Sequence, residues 1–178
     1  MSDVDRLHAT EVVGLSYRQE GQYQSVRGLA GILGGTLVGP VLDRLGSGGF
    51  TGLSNMATAG FFLMVAGARG RPGLYLAALI PYIVGGTSRG AAVSAMHTEA
   101  GLACGYTAGG LAADLGNAKA VVNAIAPWLF TLLYSGSHGF RGLPYVVAAA
   151  TAAASQLVFS CLPKRKGSGG GGGEHNQK

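Results

Sequence analysis

The chain has 178 residues, a formal net charge of +5 and only 12% Asp, Glu, Lys and Arg, about half the charge density of ordinary soluble domains. That is too little charge to give each helix of a water-soluble domain a wet face. The basic residues are too scattered for a nucleic-acid footprint, and the length leaves room for one bundle of spans without a separate soluble domain.

Residues 45–68, 120–140 and 142–163 contain no Asp, Glu, Lys or Arg, giving uncharged runs of 24, 21 and 22 residues. A helix rises about 1.5 Å per residue, so each run is long enough for a hydrocarbon core of roughly 30 Å. Two shorter uncharged runs, 28–42 and 72–88, are separated from the first long one only by Asp43–Arg44 and by Arg69–Arg71. The pattern predicts an all-α fold, a polytopic membrane helix bundle of about five transmembrane helices within residues 25–163. The 32 glycines fall mostly inside apolar segments, which suits close helix packing in lipid.

Residues 1–24 are polar and hold Asp3, Asp5, Arg6, Glu11, Arg18 and Glu20. They read as a surface arm or as a loop between spans, and lack the basic-then-apolar start of a cleavable signal peptide. The first span is predicted at 25–42, with Gly31, Gly35 and Gly39 recurring every fourth residue as a helix–helix seam. Pro40 should kink or end it. The second span is predicted at 50–68 with Ser54, Asn55 and Thr58 as its polar residues, followed by a turn at Arg69-Gly-Arg71-Pro-Gly.

The third span is predicted at 74–96, bent at Pro81, with Arg89 inside it and a second small-residue stripe at Gly86, Gly90 and Ser94. The uncharged core of the next stretch, 100–113, is too short to span and reads as an interfacial connector. The fourth span is predicted at 120–134, broken by Pro127 and carrying Asn123 and Trp128. The fifth is predicted at 143–162. Residues 164–178 begin with Lys164-Arg165-Lys166 and continue as a Gly-rich flexible tail. That basic triplet reads as a cytoplasmic stop beside anionic headgroups, placing the C-terminus inside. Arg6, Arg18, Arg27, Arg69, Arg71 and Arg141 then fall on the outer side. Cys104 and Cys161 read as two buried thiols rather than a disulfide.

Between the first two predicted spans the chain reads Gly39-Pro-Val-Leu-Asp43-Arg44-Leu-Gly46. Gly, three residues, Asp-Arg, one residue and Gly between two apolar spans resembles the signature loop of the major facilitator superfamily. An Asp at a helix end can pair with an Arg or cap a neighbouring helix, and such contacts form and break as helices rock. The family usually has basic residues after the last Gly, whereas Ser47-Gly48-Gly49 follow here. Ala126-Pro127-Trp128 through Tyr134, and Leu143-Pro144-Tyr145 through Leu162-Pro163, look like the last two helices of drug- and tetracycline-efflux members. The resemblance covers roughly 26–166 and maps the five spans onto the eighth to twelfth helices of a twelve-helix transporter.

The resemblance implies a truncated transporter or one piece of a split one, lacking an N-terminal half that a second chain could supply. It also implies that the first, third and fourth spans face a central cavity. Tyr82, Thr87, Arg89 and Asn123 are then the substrate-pathway candidates. Arg89 stands out on physical grounds too, because an arginine within a span usually faces the bundle interior or water. Its alternative is to snorkel to the interface, and that of Asn123 is an interhelical hydrogen bond.

His97-Thr-Glu99 is too sparse for a metal site, and no phosphate-binding Gly-rich loop is present. Neither a cofactor, a metal nor enzymatic catalysis is expected. Two functions compete: part of a secondary transporter for a small solute, or a non-transporting multi-pass protein whose Gly and Ala stripes assemble helices in the lipid bilayer.

Overall fold

The computed structural model describes residues 3–86, 88–137 and 139–161, and all regular structure among them is helical. Thr87, the triplet Lys164-Arg165-Lys166 and the Gly-rich tail lie outside the described residues, as does the side chain of Arg89.

The chain begins with a short helix, α1 (Asp3–Leu7), that runs into a single π turn at His8–Val12. Ser16 then starts a long helix through a reciprocal cap. Its hydroxyl accepts from the Gln19 amide at 3.3 Å, and the Gln19 carboxamide oxygen accepts from the Ser16 amide at 2.9 Å. Two orphan amides are satisfied at once.

Helical bonding is assigned over Tyr17–Gly67, but Gly46 breaks it with φ 66° and ψ 172°. The result is two helices, α2 (Tyr17–Gly46) and α3 (Gly48–Gly67). Only glycine enters that backbone region at no steric cost, and the chain folds back there into a hairpin. The Arg27 guanidinium of α2 consequently lies 5.9 Å from the centre of the Phe61 ring of α3. Pro40 is accommodated within α2 and does not end it.

Three further segments complete the bundle. α4 (Pro72–Gly85) slips at Ala78, where Pro81 cannot donate back to Ala77. α5 (Ser88–Ala103) and α6 (Ala108–Gly136) follow, with Thr107 capping α6 by accepting from Gly110 at 3.2 Å. α7 (Leu143–Cys161) closes the described chain.

Four of these helices, α2, α3, α6 and α7, are long and apolar enough to cross a membrane. The predicted continuous third span is instead two helices. Gly86 ends α4, and a Cβ there would lie 2.5 Å from the Tyr82 ring. The predicted connector before the fourth span is the end of α5, a turn at residues 104–107 and the start of α6. α6 therefore begins twelve residues before the predicted span, carries Asp114 and Lys119, and passes through Pro127 unbroken. Cys104 and Cys161 are exposed rather than buried, one in that turn and one at the end of α7.

The core gathers at the N-terminal end of the hairpin. Phe61, Val65 and Ala66 of α3 meet Tyr75, Ala78 and Leu79 of α4, with Tyr145 of α7 and Tyr23 of α2. Ala9, Val13 and Leu15 complete the cluster, so the N-terminal segment is a packed seal and not a surface arm. Its charges escape the apolar core at the rim: Glu11 pairs with Arg141 at 2.5 Å, and Arg6 with Glu20 at 3.6 Å.

Close backbone approach occurs at Gly34, where a Cβ would sit 2.2 Å from the Ile83 carbonyl oxygen, and at Gly85, against the Thr58 amide at 2.6 Å. The predicted seam residues Gly35 and Gly39, and Gly90 of the second stripe, meet no atom within 4 Å among the described residues. The described close approach on α2 is at Gly34, one residue from the predicted Gly35.

Candidate functional site: an arginine cleft between α2 and α4

α2 and α4 meet along Gly34 and Ile83, and above that contact they part. Gln24, Arg27, Gly28, Gly31 and Ile32 of α2 and Tyr82 of α4 line an open cleft of about 500 Å³. Gln24, Arg27, Gly28 and Gly31 lie three or four residues apart, so the helical repeat puts them on one face. Gly28 contributes no side chain and has nothing within 4 Å of its Cβ position, which leaves the cleft open beside Arg27.

Arg27 lies ten residues into a candidate span, roughly 15 Å from its start. Its guanidinium sits 4.8 Å from the centre of the Tyr82 ring, within the range of a cation–π contact. Among the described residues no carboxylate forms an ion pair with it. The carboxylate whose field reaches Arg27 is that of Asp5, which instead accepts from the Tyr145 hydroxyl at 2.9 Å. Beside it the Gln24 amide nitrogen is buried with no partner. The cleft therefore presents one guanidinium and an aromatic face, with the Gln24 side chain in its wall.

A second polar group lies deeper, along α3. Ser54 is 0% and Asn55 2% exposed. The Asn55 amide donates to Gln156 of α7 at 2.9 Å, and the Thr58 hydroxyl lies 2.9 Å from the Gly85 carbonyl oxygen as its donor. The same hydroxyl lies 2.8 Å from the Ser54 carbonyl oxygen of its own helix, so its single proton is shared between that carbonyl and the one freed where α4 breaks. The Ser54 hydroxyl and the Asn55 carbonyl oxygen have no partner.

The N-terminal seal closes the same end of the bundle. His8 is 0% exposed, its Nε2 lies 3.1 Å from the Val65 carbonyl oxygen, and its ring centre is 4.6 Å from that of Tyr145. Burial pushes this imidazole below its ordinary value, with the Val65 bond and the Asp5 charge opposing.

Of the predicted pathway residues, Thr87 and the Arg89 side chain lie outside the described residues, and Tyr82 and Asn123 stand on different helices. Tyr82 lines the cleft and packs 5.2 Å from Phe61. Asn123 is exposed on α6, and Arg89 stands on α5 beyond the helix break. Gly31 lines the cleft rather than a described tight seam, and Gly86 serves as the α4 terminus. Asp43 and Arg44 are exposed on the last turn of α2, so the signature sequence is helical up to Gly46 and not a loop. The reversal needs one glycine, not eight residues.

Sequence reasoning missed Arg27, which it assigned to the outer side, and Gln24, which it left in the polar arm. The available signal was the glycine at position 28 directly after an arginine inside an apolar run. Comparison of the chain with protein-family models, curated proteins and solved structures finds no match. Function therefore rests on the geometry.

Proposed function

We propose that this chain is part of a secondary transporter that moves a small solute across a membrane by alternating access. The observation that carries the reading is Arg27, whose guanidinium lies 4.8 Å from the centre of the Tyr82 ring and lines an open cleft with no ion-pair partner among the described residues. An arginine at the edge of an apolar helical stretch that borders an open cleft, with no carboxylate paired to it, is available to a solute.

The broken pass of α4 and α5 supports the same reading. Tyr75 of α4 lies against Tyr23, Gly85 against Thr58, and Met96 of α5 accepts from Thr51 at 3.6 Å. The two helices thus follow α3 in the opposite direction, as a fifth crossing interrupted beside the polar residues of α3. Discontinuous helices of this kind build solute and ion sites in transporters. The resemblance to the major facilitator superfamily belongs to this proposal, with the C-terminus on the cytoplasmic side and a second chain or missing half completing the pathway.

The test is solute uptake into liposomes holding the full chain, alone and with candidate partner chains. Arg27→Ala should reduce uptake at least tenfold at unchanged membrane yield. Equal uptake by the variant removes Arg27 from the pathway.

A second reading, a non-transporting assembly protein, is favoured by α6. Its spanning stretch is 0% buried, and Trp128 is 65% exposed. Uptake that never exceeds that of empty liposomes, together with a fixed oligomer in detergent, would favour it.

A further inference from the structure

Resting on the transporter reading, the chemistry of the α2–α4 cleft narrows what the solute is. Its charged group is one guanidinium, and guanidinium only donates. The neighbouring Gln24 amide nitrogen is a second donor, buried without a partner among the described residues, and Gln24 lines the same cleft beside the space that Gly28 leaves open. Among the described residues no carboxylate lines the cleft. A cationic solute would face like charge there, with only the more distant Asp5 field to offset it. A neutral solute would leave the guanidinium without a pairing partner.

The rest of the lining is apolar or flat. Ile32 and the Tyr82 ring form one wall, and Gly28 and Gly31 expose helix backbone on the other. Such a wall accepts the apolar body of a small molecule, and the guanidinium beside Tyr82 has donors for an oxyanion.

We infer that the cleft takes a small solute with one oxyanion group, a carboxylate or a comparable phosphate, and an apolar body. The oxyanion meets Arg27 and Gln24, and the body lies on Tyr82 and Ile32. The same oxyanion chemistry is offered by the headgroup of an anionic lipid, because the cleft is open at its side.

The experiment uses the full chain in nanodiscs of zwitterionic lipid and measures binding of radiolabelled benzoate by equilibrium dialysis. Benzamide, which has the same shape without the charge, serves as the neutral competitor. Benzoate should bind saturably and benzamide should displace it at least tenfold less well. Arg27→Gln should weaken benzoate binding at least tenfold. Gly28→Leu, which fills the cleft while keeping Arg27, should do the same, and Arg71→Gln outside the cleft should change it less than twofold.

Repeating the measurement with an anionic phospholipid in the disc separates the sources. Displacement of benzoate assigns the oxyanion to a headgroup, and unchanged binding assigns it to a free solute. Equal binding of benzamide and benzoate overturns the inference, as does undiminished binding by both cleft variants or no saturable binding at all. Benzoate held at Arg27 but never carried into liposomes would sink the transporter reading and leave this site standing. Uptake of solutes without regard to charge would do the reverse.

Discussion

His8 illustrates how one buried side chain fixes the chemistry around it. Nε2 faces the Val65 carbonyl, so it carries the ring proton, and Nδ1 has no partner. A second proton on Nδ1 would be a buried donor aimed at nothing, which is why burial holds the imidazole below its ordinary value of about 6.5. The sign follows from linkage. As pH falls below about 6.5 the unfolded segment takes up a proton that the folded seal refuses, so stability is lost until the lowered folded value is reached. Above pH 6.5 the contribution is fully present. Hydrogen exchange of amides 8–15 should therefore accelerate between pH 7.5 and 5, and His8→Phe should flatten that dependence. The facing charges are Asp5 and, at the rim, Glu11 with Arg141. A profile identical in His8→Phe would assign the change to those carboxylates. Little in the local sequence marks His8 as buried, since Leu7 and Ala9 beside it are flanked by charged and polar residues and the tertiary contact with α3 and α7 covers it.

At the level of helices, glycine placement decides how closely the elements approach. Gly34→Ala drives a Cβ to 2.2 Å from the Ile83 carbonyl oxygen, so it should lower stability by about 1–3 kcal/mol. Gly35→Ala points into open space and should be neutral or slightly stabilising, because alanine is the better helix former. Thermal unfolding in detergent separates the two, and an equal effect would refute the assigned register. The α4 break makes a second test. Thr58→Val removes the donor to Gly85 and should cost about 0.6–2 kcal/mol, the range of interhelical hydrogen bonds in membranes. Thr58→Ser should retain most of it. The break itself was legible in part: Gly85-Gly86-Thr87-Ser88 is a cluster of loop-forming residues. Apolar character on both sides concealed it, because hydropathy averages over a kink.

For the molecule as a whole, the exposed apolar surface is the dominant feature. Val121, Val122, Ile125 and Trp128 of α6 are each more than half exposed, and their spacing gathers them on one broad face of the helix. Water cannot be their solvent, since apolar surface costs about 25 cal/mol per Å² there. Cysteines at these four positions should resist a water-soluble maleimide and react with a lipid-phase probe. Topology gives a further check. Gln156 and Phe159 of α7 reach Asn55 and Gly48 near the far end of the hairpin, and Cys161 follows them. Counting α4 and α5 as one broken crossing puts Cys104 and Cys161 on the same side, opposite Ser16. An impermeant thiol reagent should label both native cysteines from one side of sealed vesicles and Ser16→Cys from the other. Labelling of Ser16→Cys from the same side as the native pair would remove the fifth crossing.

The sequence by itself determined that the chain is helical and that lipid surrounds much of it, because uncharged runs longer than 20 residues have few other solutions. It also located α3 and α7 to within two residues at their starts and one at their ends. Tertiary structure alone decided that the polar N-terminus seals the bundle, that the seam runs through Gly34, and that Arg27 opens onto a cleft. Those outcomes depend on which residues distant in the chain come to face each other. Hydropathy records only how well a segment tolerates lipid, and is silent on what a given face of a helix will meet.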